Sequence, residues 1–238
     1  MKVLIYYEQL GYGGVDTHLA HLTNNWPNRD DKFTVVSNPD NEGLKFLKQK
    51  LRNPSVIIKT LDGVFRRPGV RSSKLTKIIT YIIVQLRFIG AFKKLLKELS
   101  PDIIISNNGG YPGGFTTWSA AIIAKTHKST KKGTFLLVHH APTKNIVTLI
   151  AILSNILVRW IIYLDIPLIT VSHASKRLLE SFTPLKNLNV VYNGLELKEK
   201  INDKYNFKRE WKIEHNKTIV GIIGPIDPHK GHATILEV

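Results

Sequence analysis

The sequence opens with the run Lys2-Val3-Leu4-Ile5-Tyr6-Tyr7, which leads into the glycine-rich turn Gly11-Tyr12-Gly13-Gly14. A continuous apolar run of this length is typical of a strand that is buried on both faces. After the glycines, apolar residues recur at the spacing of one helix face, at Val15, Leu19, Leu22 and Trp26. The stretch therefore predicts a strand, a glycine turn and a helix, which together open an α/β fold.

The same alternation of strand and helix continues along the chain. Further strands are predicted at 33–37, 55–59, 102–106, 134–138, 168–171 and 189–192. Helices are predicted at 74–99, at 117–125, in the apolar stretch from 146 onward, and up to Leu179 after a cap at Ser172 or Ser175. Buried strands with helices between them predict a parallel sheet with helices on both faces, and right-handed crossovers place the loops after the strands at one edge.

Composition narrows the class of protein. The 238 residues include no cysteine, which excludes a disulfide scaffold, a thiolate metal site and a cysteine nucleophile. The absence of cysteine fits a cytoplasmic location, and the first residues lack the features of a signal peptide. The apolar stretch 146–169 is interrupted by Asn155, Arg159, Asp165 and Pro167, so it favours a buried or interface-lying helix over a membrane span.

Positive charge is concentrated in one part of the chain. The formal net charge is +16, and the segment 43–132 holds 18 Lys and Arg against three acids. Within it, residues 74–97 form a basic amphipathic pattern. Two interpretations remain open: contact with an anionic membrane surface, or a helix that faces the core and solvates its basic side. Nucleic acid is not an expected partner, because no nucleic-acid-binding motif accompanies the charge.

A second unit is predicted near the end of the chain. Residues 196–217 are polar and of mixed charge, and Thr218–Gly224 reads as a new apolar strand, with a helix starting at Ala233. We expect a first domain at 1–193, a linker at 194–217 and the start of a second domain at 218–238. One strand and part of a helix cannot enclose a core, so we expect either a truncated second domain or a tail docked on the first.

Two glycine-containing loops are candidate binding sites. Gly13 and Gly14 link a strand to a helix, where backbone N–H groups can approach a phosphate, although a simple tight turn explains them equally well. A dinucleotide fingerprint would need a third glycine where Asp16 stands. The loop Asn107-Asn108-Gly109-Gly110 is costly to order, which favours binding over a flexible connection.

Polar residues follow the later strands as well. His139 and His140 can orient a ligand, but no third metal ligand is evident, so no metal site is expected. Ser172 precedes His173, a neighbour pair that is not by itself a catalytic dyad. Asn193 lies in a turn, and Lys230 precedes a helix, where a cation and a helix N-terminus can hold a diphosphate.

Taken in order, these loops resemble the retaining family 4 glycosyltransferases of the GT-B fold. The residues that carry the resemblance are Gly13-Gly14-Val15, His139 or His140, Val171-Ser172 with Lys176 and Leu179, Val191-Tyr192-Asn193-Gly194, and Gly221-Ile222-Ile223-Gly224 running into Asp227-Pro228-His229-Lys230-Gly231-His232. The resemblance implies a Rossmann-like first domain and a second Rossmann-like domain that has only begun. It also implies that Gly13, Gly14 and Lys230 bind the donor and that His139 or His140 lies near the reaction centre. The expected acceptor or cleft residues are Asn107, Asn108, Gly109, Gly110, Ser172 and Asn193.

The activity implied by the resemblance is transfer of a sugar from a nucleotide-sugar to a cell-envelope glycan or lipid-linked acceptor, with retention and without a metal or cofactor. The enzyme would lie at the inner face of the membrane. Three departures stand out: Pro225 replaces an arginine that shares the diphosphate, Asn107 and Asn108 end a strand that often ends in histidine, and an acidic pair of the second domain is absent. The alternatives are a sugar-nucleotide epimerase of the same fold and a non-catalytic, truncated binding module.

Overall fold

The computed structural model describes residues 1–65, 73–110, 114–127, 130, 132–140, 149–182, 185–195, 207–224 and 231–236. The chain divides into two compact units, Met1–Leu195 and Glu196–Val238. The strands of the first unit are β1 Lys2–Tyr7, β2 Lys32–Ser37, β3 Val56–Thr60, β4 Ile103–Asn108, β5 Gly133–Val138, β6 Leu168–Thr170 and β7 Leu188–Val190. Its helices are α1 Gly14–Asn24, α2 Gly43–Lys50, α3 Lys74–Leu99, α4 Phe115–Thr126, α5 Leu149–Tyr163 and α6 His173–Phe182.

The seven strands form one parallel sheet in the order β3-β2-β1-β4-β5-β6-β7. The predicted α/β class with a Rossmann-like parallel sheet is therefore confirmed. Strand order reverses at β1, which pairs with β2 on one side and with β4 on the other. Ligands of such sheets bind outside the carboxyl ends of the strands at this reversal, so the fold itself marks where a site belongs.

Helices cover both faces of the sheet. On one face Tyr6 of β1 packs against Phe88 and Phe92 of α3, with ring centroids 5.1 and 5.4 Å away. On the other face Ile5 of β1 packs in a cluster with Leu19 of α1 and further residues of α2. Each β1 side chain is fully or almost fully buried from Val3 to Tyr7, as the continuous apolar run predicts.

Helix α3 matches its predicted bounds, and its two halves differ in the burial of their apolar side chains. It begins after Ser73, whose hydroxyl accepts a hydrogen bond from the backbone N–H of Thr76 at 3.1 Å, and it ends at a left-handed Ser100. Its second half buries aromatic and aliphatic side chains on the sheet. Its first half exposes five aliphatic side chains, which we call the α3 stripe: Leu75, Ile79, Ile82, Ile83 and Leu86.

The second unit contains two short helices among its described residues, α7 Phe207–Glu210 and α8 His232–Leu236. The predicted strand at Thr218–Gly224 is wrong: the segment is not a strand, and Val220 and Ile223 are largely exposed. A strand needs a neighbour to receive its hydrogen bonds, and the described part of this unit offers none. The domain boundaries at 193 and 217 stay a prediction. Over the described residues, no helix is both long enough and apolar enough to cross a membrane.

Candidate functional site

A cleft of about 560 Å³ opens at the carboxyl edge of the sheet in the first unit. Residues that follow β1, β4, β5, β6 and β7 line it, so the reversal of strand order lies within it. Eight predicted site residues are brought together there: Gly13, Gly14, Asn108, Gly109, Gly110, His139, His140 and Asn193.

Two further predicted site residues, Asn107 and Ser172, are not part of the cleft lining. Asn107 is fully buried behind the cleft and touches His139. The hydroxyl of Ser172 accepts a hydrogen bond from the backbone N–H of Ser175 at 3.1 Å, which makes Ser172 the cap of α6 rather than a cleft residue. Lys230 lies outside the described residues, so its role in donor binding stays a prediction.

The glycine loop after β1 is organised by a buried carboxylate. Asp16 accepts hydrogen bonds from the Gly13 N–H at 2.9 Å, the Tyr7 hydroxyl at 3.0 Å and the Gln9 side chain at 2.9 Å. Burial raises the pKa of Asp16, and these donors oppose that rise. Asp16 thus stands where a dinucleotide fingerprint has its third glycine, and its hydrogen bonds fix the conformation of the loop. Because the Gly13 N–H is engaged, the next N–H groups of the helix start, at Gly14 and Val15, are the ones that can bind a ligand.

His139 is a buried, neutral histidine at the cleft. Its Nε2 lies 2.8 Å from Asn107 Oδ1, and its backbone N–H donates to the carbonyl of Asn108 at 3.1 Å. Burial, then the neighbouring His18 and His140, lower the pKa of His139 to about 3. At neutral pH the ring can therefore exchange hydrogen bonds with a ligand but does not supply positive charge.

One acid in the cleft was missed by sequence reasoning. The carboxylate of Glu8, just after β1, accepts hydrogen bonds from the backbone N–H and the hydroxyl of Thr116, in the first turn of α4. Helix starts favour a negative charge, which explains why a partly buried carboxylate is stable there. Burial and then the charge of Glu8 raise the pKa of Tyr6 and of Tyr81. A lone acid directly after the first strand was the sequence signal for this residue.

Several buried polar side-chain atoms near His139 have no hydrogen-bond partner in the part of the chain that the structure describes. The side-chain Nδ2 atoms of Asn107 and Asn108 and Nδ1 of His18 have no hydrogen-bond partner among the described residues. An unpaired buried polar atom costs about 1–3 kcal/mol, and such atoms in a cleft are typical of a ligand site. Asn108 lines the cleft, and the ring of His18 meets that of His139 edge-on at 4.7 Å between centroids. The site is thus rich in neutral hydrogen-bonding groups.

A parallel sheet of reversed strand order with a cleft at its carboxyl edge defines the class of Rossmann-like α/β proteins. Within that class, the profile of Glycosyltransferase Family 4 matches residues 12–199, and the chain belongs to this family. The match confirms the family resemblance inferred from the loops, and it includes every cleft residue from Gly13 to Asn193.

Several solved structures are similar to the chain. They include UDP-GlcNAc 2-epimerase from Neisseria meningitidis (15% identity, TM-score 0.49, covering 81% of this chain and 46% of that one). The lipopolysaccharide outer core galactosyltransferase WaaB is also similar (16% identity, TM-score 0.49, covering 86% of this chain and 50% of that one). So is Acinetobacter baumannii MurG (12% identity, TM-score 0.49, covering 90% of this chain and 50% of that one). The chain spans about half the length of these structures. No protein of curated function matches the sequence.

Proposed function

We propose that the protein transfers a sugar from a nucleotide-sugar donor to a cell-envelope glycan or lipid-linked acceptor, with retention at the transferred carbon. One observation carries the proposal: within the family-matched region, the helix start at Gly14 and the neutral residues His139 and Asn108 line a single cleft at the reversal of strand order. The dipole of a helix start suits a diphosphate, and neutral donors and acceptors suit sugar hydroxyls.

The reaction breaks the bond between the sugar and the leaving diphosphate, on which negative charge develops. In our proposal no side chain acts as a nucleophile and no metal is required. The start of α1 at Gly14 and the side chain of Lys230 stabilise the diphosphate, since fixed dipoles and cations stabilise the charge of a transition state in a site that excludes water. His139 and Asn108 hold the sugar or the acceptor by hydrogen bonds.

The small number of acids in the described cleft lining favours sugar transfer over epimerisation. An epimerase of this architecture is expected to use paired carboxylates and histidines. Among the described residues that line the cleft, Glu8 is the sole carboxylate, and Thr116 already binds it. A single acid can bind a sugar hydroxyl. Epimerisation instead needs one group to remove a proton from one face of the sugar and a second group to return a proton to the other face.

Donor binding tests the proposal. Calorimetric titration with a panel of UDP- and GDP-sugars should find a donor whose affinity falls at least about tenfold in Gly14→Ala, because the new methyl group would occupy the approach to the helix start. A Cβ at Gly14 meets no atom within 4 Å, so the fold should be unaffected. Gly90→Ala, in α3 and equally free of contacts, is the matched control and should bind the donor normally.

Other outcomes separate the alternatives. Lys230→Ala should weaken donor binding by about 1.5–3 kcal/mol, the range for a charged hydrogen bond. Product assays with the same panel should yield a glycosylated acceptor. An epimerised sugar-nucleotide without transfer would identify an epimerase. Tight donor binding that neither Gly14→Ala nor Lys230→Ala reduces would mean that the donor site lies elsewhere.

We also propose an anionic membrane surface as a partner, with the protein peripheral at its inner, cytoplasmic face. Leu75 and Leu86, at the two ends of the α3 stripe, are each 65% exposed. Their side of the helix continues into exposed Lys93, Lys94 and Lys97. Aliphatic side chains beside lysines on one helix face suit insertion at the boundary of anionic headgroups and acyl chains.

Vesicle sedimentation tests the membrane proposal. The protein should sediment with anionic vesicles at low salt and be released at high salt, because the screening length falls to about 3 Å at 1 M. The double variant Ile79→Asp/Ile82→Asp should lose this binding, whereas Val220→Asp, an exposed aliphatic of the second unit, should keep it. Equal binding to neutral vesicles, or binding to neither, would refute the proposal.

A further inference from the structure

We propose that Asn107 is a positioning residue that fixes the ring of His139 in one tautomer, with the proton on Nε2 and with Nδ1 left to accept a hydrogen bond from a ligand hydroxyl. The assignment of a sugar hydroxyl as the ligand rests on the function proposed above. The tautomer itself does not.

The backbone of two adjacent strands sets the position of His139. Asn107 and Asn108 are the last two residues of β4, and they lie opposite Leu137 and Val138 of β5. The hydrogen bond from the His139 N–H to the Asn108 carbonyl extends this ladder one residue beyond β5. The main chain of His139 is therefore held as firmly as a strand residue, and only the rotation and the protonation of its ring remain to be fixed.

The side chain of Asn107 fixes the ring. The ring atom Nε2 lies 2.8 Å from Asn107 Oδ1, and both side chains are buried. An amide oxygen only accepts hydrogen bonds, so Nε2 must be the donor. A neutral imidazole carries a single N–H, and a proton on Nε2 leaves a lone pair on Nδ1.

An amide partner also keeps the ring uncharged. The titratable groups near His139 are His18 from α1 and its neighbour His140, and the one acid among the described cleft residues is Glu8. Burial and the two histidines disfavour the imidazolium, and Asn107 adds no negative charge to stabilise it. An aspartate at 107 would hold the same ring atom but would favour the cation. Asparagine therefore orients His139 while preserving its capacity to accept.

The resulting pattern of donors and acceptors indicates the chemical class of the ligand. His139 Nδ1 accepts, and the buried Asn108 Nδ2, which has no partner among the described residues, donates. Both residues line the cleft. A hydroxyl group satisfies both, because it donates and accepts, whereas a fully ionised phosphate only accepts. The pattern of donors and acceptors thus favours a sugar hydroxyl beside His139 and Asn108.

Nitrogen-15 NMR of the histidine rings tests the proposal on the protein as it is. In the wild type, His139 should show a protonated Nε2 and an unprotonated Nδ1 at neutral pH. Asn107→Ala should give a mixture of tautomers. Asn107→Asp should restore the Nε2–H form and raise the pKa of His139 by at least about one pH unit, since a carboxylate at this distance favours the cation.

Asn108→Ala is the matched control. It removes an asparagine that is equally buried but contacts His139 through its backbone carbonyl, so the tautomer and the pKa of His139 should not change. The proposal is overturned by a wild-type ring protonated on Nδ1, by a tautomer that Asn107→Ala leaves intact, or by an equal response to Asn108→Ala.

A second measurement addresses the ligand. Addition of the donor found by the calorimetric panel, or of its free monosaccharide, should move the Nδ1 resonance in the direction of an accepted hydrogen bond. Both should bind more weakly in Asn107→Ala, and more strongly again in Asn107→Asp at a pH above the pKa of His139. The expected tautomer without any response of Nδ1 would overturn the assignment of the hydroxyl and leave the positioning role supported.

Discussion

The contact between Gly43 and Asp16 permits a sharp test of how the loop before α1 is built. Gly43 is the first residue of α2, and a Cβ built on it would lie 2.5 Å from both carboxylate oxygens of Asp16. Those oxygens already accept hydrogen bonds from Tyr7, Gln9 and Gly13. The carboxylate therefore cannot move away from a methyl group without losing at least one of its donors.

The expected magnitude follows from two opposing effects. Where space allows, replacing glycine by alanine stabilises a protein by about 0.4–1 kcal/mol through the unfolded state. Loss of one hydrogen bond to the charged group costs about 1.5–3 kcal/mol. Gly43→Ala should therefore destabilise the fold by about 1–2 kcal/mol. In an Asp16→Ala background the obstruction is gone, and the same substitution should stabilise by about 0.5 kcal/mol, a coupling of about 2 kcal/mol.

The assay is urea unfolding followed by circular dichroism for the wild type, the two single variants and the double variant. Gly90→Ala is the control, because its Cβ would meet no atom within 4 Å and α3 should gain about 0.5–1 kcal/mol. If the effects of Gly43→Ala and Asp16→Ala add without coupling, or if Gly43→Ala is as benign as Gly90→Ala, then Asp16 does not hold the position described here.

Three further outcomes are expected. The pKa of His139 is about 3 in the folded protein and near 6.5 in the unfolded chain, so the free energy of unfolding should fall as pH drops through that interval, by about 2 kcal/mol between pH 7 and pH 5. In His139→Gln, the free energy of unfolding measured with urea should depend less on pH by this amount. An equal pH dependence in the wild type and the variant would contradict a buried, neutral His139. Phe92→Ala should lower the free energy of unfolding by about 3–5 kcal/mol, because the ring is fully buried against Tyr6 and Phe88; a loss below 1 kcal/mol in the same assay would contradict this packing. Amides of 218–224 should exchange hydrogen far faster than those of 2–7, and mass-spectrometric exchange that finds both segments protected would show that the former is held in a structure not described here.

The strands of the sheet could be predicted from the sequence because they are short, continuous apolar runs. Every predicted strand of the first unit exists, and no strand end differs from its prediction by more than two residues. Helix α2 was not predicted, since its eight residues place only Leu44 and Leu47 in the core between lysines. The strand at 218–224 was predicted wrongly because an apolar run indicates only a local preference for extended backbone. A strand also needs a neighbouring strand to pair with.

For the candidate site, the sequence predicted only which loops come together. Parallel topology brings the residues after the strands to one edge, so Gly14, Asn108 and His139 could be grouped without a structure. The partners of each side chain could not be inferred, because Asp16 binds three donors and Asn107 binds a residue 32 positions away. Ser172 caps α6, as the sequence rule for helix starts also predicted, whereas its assignment to the cleft came from its place after a strand and from the resemblance.

The position of β1 inside the sheet, between β2 and β4, has a consequence for the order of folding during synthesis. The backbone N–H of Lys2 donates to the Asp102 side chain across 100 residues of sequence, whereas β2 follows β1 after a single helix. At about 5–20 residues per second, a ribosome needs about 5–20 s to supply this second partner. For the part of that interval after β2 has been made, the nascent chain holds a half-sheet in which β1 has one open edge. An open apolar edge is the kind of surface that chaperones bind and that aggregates when they are absent.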